Sequence, residues 1–217
     1  MTKIHLKRLE IYIYWRKRGE DIRIENLIIS IPTQADIKAA YQVFEASIPD
    51  AYEKEGLGLL KEDIHREIEH KKHLLDASMS PTDSEPYFLL AKLEETVVGT
   101  ISFAPCGEDI KKCTENQLDR IGELGSLYVL PSFQGQGVGS ALIHALVTYL
   151  SEQGIEQYCL DSGYKRAQKR WLRKFGEPYK VVKDYWGPGF DHMIWLCKAQ
   201  GVNWQDQAFL PGRIWLS

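Results

Sequence analysis

Cysteine is scarce in this chain, and the few present rule out more than they suggest. The four are Cys106, Cys113, Cys159 and Cys197. None forms a C-x-x-C pair, so a zinc or dithiol redox site has no support. No Gly-Lys-Ser/Thr occurs, which excludes a Walker phosphate loop. No apolar run approaches the roughly 18 residues that span a bilayer. The opening MTKIHLKRLE lacks the apolar core of a signal peptide. The expectation is a cytoplasmic protein with reduced thiols and no membrane association. A net charge of -3 argues against a general nucleic-acid binder. His65, His70 and His73 offer no coherent ligand face, so no metal is expected. Internal repeats and low-complexity tracts are absent.

The chain has 217 residues, enough for one domain with appendages. With 44% hydrophobic and 26% charged residues, its composition excludes global disorder. Ile11, Ile13 and Trp15 alternate with tyrosines, and a turn near Arg18-Gly19 leads to Ile22 and Ile24. This reads as a hairpin extension over residues 1–25. Residues 26–199 read as the main domain, opening with a buried strand that stops at Pro32. Thr33 and Asp36 form a capping-box pattern before a helix that is expected to end at Pro49. A second charged helix, two strands joined at Glu94-Glu95 and a polar connection over residues 105–120 follow. Then come a strand to Leu130, a helix to Gln153, a strand, a basic helix over Lys165–Phe175 and two last strands. The order β, α, α, β, β, β, α, β, α, β, β predicts an α/β fold. Its central sheet should be mixed, partly antiparallel, with helices on both faces.

The informative segment is Glu123–Ser140, ELGSLYVLPSFQGQGVGS. A buried strand reaches Pro131, a short turn delivers Gln134-Gly135-Gln136-Gly137-Val138-Gly139, and a helix begins. Glycines at a helix start let successive backbone N–H groups converge on an anion, with the helix dipole assisting. A pyrophosphate fits such a loop; a tight turn with close helix–sheet packing is the plainer alternative. A dinucleotide-binding Rossmann turn is the nearest competitor, with Asp161 where a ribose-binding acid belongs. Against it, Pro131–Gln134 separate strand from glycines, and the third glycine position is Ser140.

Gln134, Gly137 and Gly139 match Q/R-x-x-G-x-G/A, and with the preceding Leu127-Tyr128-Val129-Leu130-Pro131 the segment resembles the GCN5-related N-acetyltransferase (GNAT) superfamily. The resemblance implies a GNAT-like fold that uses acetyl-CoA as co-substrate to acetylate an amine, carried by a small molecule or a peptide. By the same resemblance, backbone groups of Leu127 and Val129 would pair with the pantetheine arm. Amides of Gln134, Gly135, Gln136, Gly137, Val138, Gly139 and Ser140 would hold the pyrophosphate. The sheet would splay beside the signature strand to seat the thioester.

Direct attack by an amine needs a general base and no protein nucleophile. Glu123, at the start of the signature strand, is the first candidate, a solvated strand-end carboxylate being the alternative. His192 is the second, against a structural histidine. Asp161-Ser162 would contact pantetheine or simply cap a turn. The tyrosine that GNAT members often place on the helix after that strand is missing. Its position is Trp171 or Leu172, neither of them an acid, and Tyr164 is a weak substitute. The basic residues of that helix, Lys165 to Lys174, would pair with CoA phosphates or form a solvated face. Asp50, Glu53 and Glu55 would steer a cationic acceptor or belong to a solvated loop. A non-catalytic CoA-sensing or partner-binding module is the alternative function. The tail, residues 200–217, carries Trp204, Phe209, Leu210, Ile214, Trp215 and Leu216. So much apolar surface predicts that it folds back or packs on a second subunit in a homodimer.

Overall fold

The computed structural model of the protein describes residues 9–17, 20–80, 86–199 and 215–216, with side chains from residue 27 to 199. The strands are β1 (Leu9–Lys17), β2 (Glu20–Ser30), β3 (Tyr87–Leu93), β4 (Thr96–Ala104), β5 (Glu123–Val129), β6 (Gln157–Ser162), β7 (Lys180–Val182), β8 (His192–Lys198) and β9 (Trp215–Leu216). The helices are α1 (Ile37–Lys54), α2 (Lys61–Ala77), α3 (Glu108–Cys113), α4 (Val138–Glu152) and α5 (Lys165–Phe175). Among the described residues all nine strands lie in one sheet, in the order β7-β8-β6-β5-β4-β3-β2-β1-β9. Only β5 and β6 run parallel; every other neighbouring pair is antiparallel. The expected mixed sheet flanked by helices is the observed architecture.

The two-residue period of a strand decides which helix each side chain meets. On β3, Leu89 and Ala91 enter the core under α4, with Leu142, Leu146 and Leu150. Their neighbours Phe88 and Leu90 face the other way, into a core with Phe44, Ile48 and Leu75 of α1 and α2. Both faces being buried explains why β3 and β4 read as continuous apolar runs. On β6, Tyr158 and Leu160 join the α4 core, while Cys159 packs with Ile110 and Cys113 of α3. All four cysteines are free, three of them buried. No helix among the described residues is long and apolar enough to cross a membrane.

The capping box at Thr33 forms: the Asp36 carboxylate accepts from Thr33 N at 2.8 Å. The expected helix end at Pro49 is corrected. Helix α1 runs through Pro49 to Lys54. A proline forfeits one backbone bond, and here packing on both sides of it outweighs that loss. Phe44 and Ile48 are buried before it, and the Tyr52 ring meets the Tyr164 ring edge-on beyond it, 5.7 Å between centroids. The polar connection over 105–120 is corrected as well. It holds α3, whose Ile110 is fully buried. The boundary expected after residue 25 falls inside β2, which is unbroken across it. The turn at Arg18-Gly19, the loop over 81–85 and residues 200–214 of the tail lie outside the described residues. Trp215 and Leu216 pair antiparallel with Tyr12 and Ile11 of β1.

Candidate active site

The cleft begins where β5 leaves its partner. Thr100 lies opposite Tyr128 and Ser102 opposite Gly125, so β5 carries an extra residue in a bulge. Ser126, in that bulge, has φ 47°, and its carbonyl accepts from Thr100 Oγ1 at 2.8 Å. Such a bulge bends the strand. On its other side β5 meets β6 at a single register pair, Glu123 with Cys159, whereas β6 and β8 share six. The two parallel strands therefore separate after Glu123. The gap opens into a cleft of about 2040 Å³, walled by α1 and α2 on one side and by α4 and α5 on the other.

At one end of the gap lies the glycine loop. Gly135 has φ 76° and Gly137, the residue capping α4, has φ 91°. Both are left-handed, where glycine is the default residue. The first N–H groups of α4 have no acceptor one turn back, as at any helix start. Here they open onto the cleft, which Gly135, Gly137, Gly139 and Ser140 line. Gln134 does something else with its side chain. Its Nε2 donates to Val129 O at 3.0 Å and to Asp50 Oδ2 at 3.3 Å, and its Oε1 accepts from Lys54 Nζ at 3.0 Å. It braces the end of α1 against the end of β5. Its own N–H turns to Pro131 O at 3.4 Å. Val129 O also accepts from Ser47 Oγ at 3.0 Å, so both lone pairs of that carbonyl are in use. Gln136 Nε2 donates to Ser132 O at 2.7 Å, which fixes the turn before α4. Val138 is buried in the core beneath the loop, and Leu127 lines the gap.

At the other end sits Glu123. Its Oε2 accepts from Gly107 N at 2.8 Å. A Cβ on Gly107 would lie 2.7 Å from that oxygen, so only glycine lets the backbone come this close. Burial first, and then the neighbouring Asp161 carboxylate, raise the Glu123 pKa to about 7 against the Gly107 hydrogen bond. His192, from β8, is buried with 2% exposure. Its Nδ1 accepts from Trp186 Nε1 at 3.0 Å. An indole N–H can only donate, so Nδ1 is unprotonated and the ring proton sits on Nε2. That Nε2 lies 3.0 Å from Asp161 Oδ2, off the hydrogen-bond direction. Gly163 leaves room for the indole, since a Cβ there would stand 2.6 Å from Trp186 Nε1. Glu123, Asp161 and His192 thus share one end of the cleft.

Between the ends, two contacts tie the walls together. Glu55, just past α1, accepts from the N–H groups of Lys165 and Arg166 at 3.1 and 2.8 Å, closing the start of α5. Tyr128 of β5 donates to Glu67 Oε1 of α2 at 2.9 Å. Trp171 lines the cleft and packs on Phe175, 5.6 Å between centroids, while Leu172 joins the α4 core. Tyr164 also lines the cleft, and burial holds its hydroxyl proton more tightly than usual. From α5, Lys174 Nζ reaches Ser140 Oγ at 3.5 Å. Sequence reasoning missed Gly107, Ser47 and Trp186. Each acts through a partner far along the chain or on another element, which no local pattern announces.

The sheet order, the bulged and splayed β5 and the glycine loop capping α4 define the architecture of an acetyltransferase. A profile of the acetyltransferase (GNAT) family matches residues 41–176, more than half of the chain, and the protein belongs to that family. Solved structures agree on the fold. PaiA N-acetyltransferase from Thermoplasma acidophilum, in complex with coenzyme A, has TM-score 0.56 and 19% identity, over 78% of this chain and 97% of that one. The ribosomal-protein-S18-alanine N-acetyltransferase of Escherichia coli has TM-score 0.52 and 16% identity, over 81% and 96%. Aminoglycoside 6'-acetyltransferase type Ii has TM-score 0.56 and 14% identity, over 80% and 97%. No curated protein matches the chain in sequence.

Proposed function

We propose that the protein is an N-acetyltransferase that moves an acetyl group from acetyl-CoA to an amine by direct attack, with Glu123 as general base. The observation that carries this reading is the gap between β5 and β6, with a helix-start amide cradle at one end and a carboxylate of pKa about 7 at the other. At roughly 3.3 Å per residue, β5 spans about 20 Å from one end to the other. That suits an extended arm bearing two amides. The Val129 N–H and the Leu127 backbone are the strand groups for it, because the Val129 carbonyl is already taken.

Bound acetyl-CoA supplies the activated thioester. The residues of the chain do the rest. The amides after Gly135 and the dipole of α4 hold the phosphates. Glu123, fixed by Gly107 N, accepts the proton that the amine loses as its bond to carbon forms. A base poised near neutral pH suits that task. His192 serves this base poorly as a substitute, since Trp186 occupies the lone pair it would need. We assign it no part in the proton transfer.

The acceptor is an amine on a small molecule or a peptide. The similar structures include enzymes named for a ribosomal-protein alanine and for an aminoglycoside, so kinship alone does not choose between these acceptors. One observation favours the second reading, a CoA-binding module without turnover: the α5 positions suited to a thiolate-protonating group are Trp171 and Leu172. A thiol of ordinary pKa near 8.5 leaves without strong acid assistance, so we prefer the enzyme. Incubation with acetyl-CoA and a panel of polyamines, aminoglycosides and peptide N-termini, followed by thiol release, decides. Release that depends on one acceptor class supports the enzyme. Tight binding with no release on any acceptor establishes the module.

A further inference from the structure

We infer that Lys174 is the cation that binds the diphosphate of the cofactor, reaching from α5 across to the start of α4. This rests on the acetyl-CoA reading above and adds a binding residue to it. Lys174 stands near the end of α5, and its Nζ lies 3.5 Å from Ser140 Oγ in the first turn of α4. Both residues line the cleft at the end where the glycine loop presents its amides. Arg170 and Arg173 of the same helix line the cleft with Lys174. A two-phosphate group set on α4 would place its oxygens beside an ammonium, a charge-assisted contact stronger than the amide bonds alone.

The same geometry gives the contact a pH signature. Burial lowers the Lys174 pKa to about 8. From α4 the titratable group facing it is His144, whose pKa is itself lowered, by burial first and then by Lys174. From its own helix come the guanidinium groups of Arg170 and Arg173. Of Lys174 and His144, it is therefore Lys174 that titrates above pH 7. A bound dianion favours the ammonium and raises its pKa. Affinity is then full below pH 8 and falls above it, by up to tenfold per unit until the pKa of the complex is passed. Binding above pH 8 takes up a proton.

Calorimetry of the full chain with acetyl-CoA, at pH 7 and pH 9 and in two buffers of different ionisation enthalpy, reads both effects. The wild type should take up a substantial fraction of a proton at pH 9 and little at pH 7. Lys174→Met should bind about tenfold more weakly at pH 7 and show no uptake at pH 9. Lys174→Arg should bind tightly at both pH values without uptake, which a merely structural lysine would not produce. Melting curves confirm that both variants are folded, and the arginine variant carries the test if the methionine variant is not. Acetyl-dephospho-CoA, which keeps the diphosphate and lacks the 3′-phosphate, should retain the uptake. Its loss there overturns the diphosphate assignment. Unchanged affinity in Lys174→Met, or uptake that persists in Lys174→Arg, overturns the role of Lys174. Failure of the wild type to bind acetyl-CoA overturns the cofactor reading itself, and is a separate outcome.

Discussion

Glu123 has two neighbours that act on its proton in opposite directions. The Gly107 N–H favours the carboxylate; burial and Asp161 favour the acid, and they prevail, giving a pKa of about 7. A base must be ionised, so kcat/KM should rise through about pH 7 and level off above it. Glu123→Gln should remove that rise, and its loss relative to wild type should be largest above pH 7, by about 10² to 10⁴-fold. A wild-type profile flat between pH 5 and 8 would refute the assignment. Asp161→Asn removes the like charge, so the rise should move to lower pH. A midpoint that stays in place would mean that burial alone sets the pKa. Stability runs against activity here. A carboxyl whose folded pKa is raised above 4.5 carries no penalty below that value and the full penalty above pH 7. Glu123→Gln should therefore melt higher than wild type at pH 8 and not at pH 4.5, read by paired thermal scans.

The elements around the cleft owe their close approach to particular glycines, and these differ in kind. Gly137 caps α4 with φ 91°. A valine there costs about 1 to 3 kcal/mol in backbone strain and should weaken acetyl-CoA binding, by calorimetry. Gly139 is inside the helix, and a Cβ would meet Val129 Cγ2 at an ordinary 3.7 Å. Gly139→Ala should leave the melting temperature unchanged or higher. Gly99 of β4 is a packing glycine: a Cβ would lie 3.1 Å from Tyr128 O and 3.1 Å from Leu142 Cδ1. The carbonyl cannot yield, so Gly99→Ala should cost about 1 to 3 kcal/mol in chemical denaturation. An alanine variant as stable as wild type would mean that β5 moves freely off β4. The signature glycines were legible in the sequence because their spacing is local. So were the capping box at Thr33 and the left-handed Gly154 and Gly176 after α4 and α5. What escaped was decided by distant contacts. The last turn of α1 survives Pro49 through Tyr52 on Tyr164 and Gln134 on Asp50. The six-residue α3 is too short for a periodicity to declare itself, and only the burial of Ile110 against β6 and β8 shows its purpose.

On the scale of the whole molecule, the site occupies the half of the sheet from β4 to β8, and the family match ends at residue 176, before β7 and β8 begin. Strand β8 nonetheless reaches the cleft, since its His192 lies beside Asp161 on β6. The opposite half, β2, β1 and β9, extends the sheet away from the cleft. There the carboxyl-terminal Trp215–Leu216 pairs with β1, whose other edge is held by β2. A strand edge left bare is a template for pairing with another chain. Cutting the protein after Ala199 removes β9 and leaves the outer edge of β1 without a partner. The cut should therefore lower the melting temperature, or raise the mass in light scattering as bare β1 edges pair between molecules. Acetyl-CoA affinity should stay as it was, because among the described residues none that lines the cleft lies beyond His192. Unchanged melting together with unchanged mass would show that the last strand contributes nothing to the sheet. Loss of acetyl-CoA affinity on truncation would instead tie the far edge to the site, against the division of the sheet drawn from its strand order.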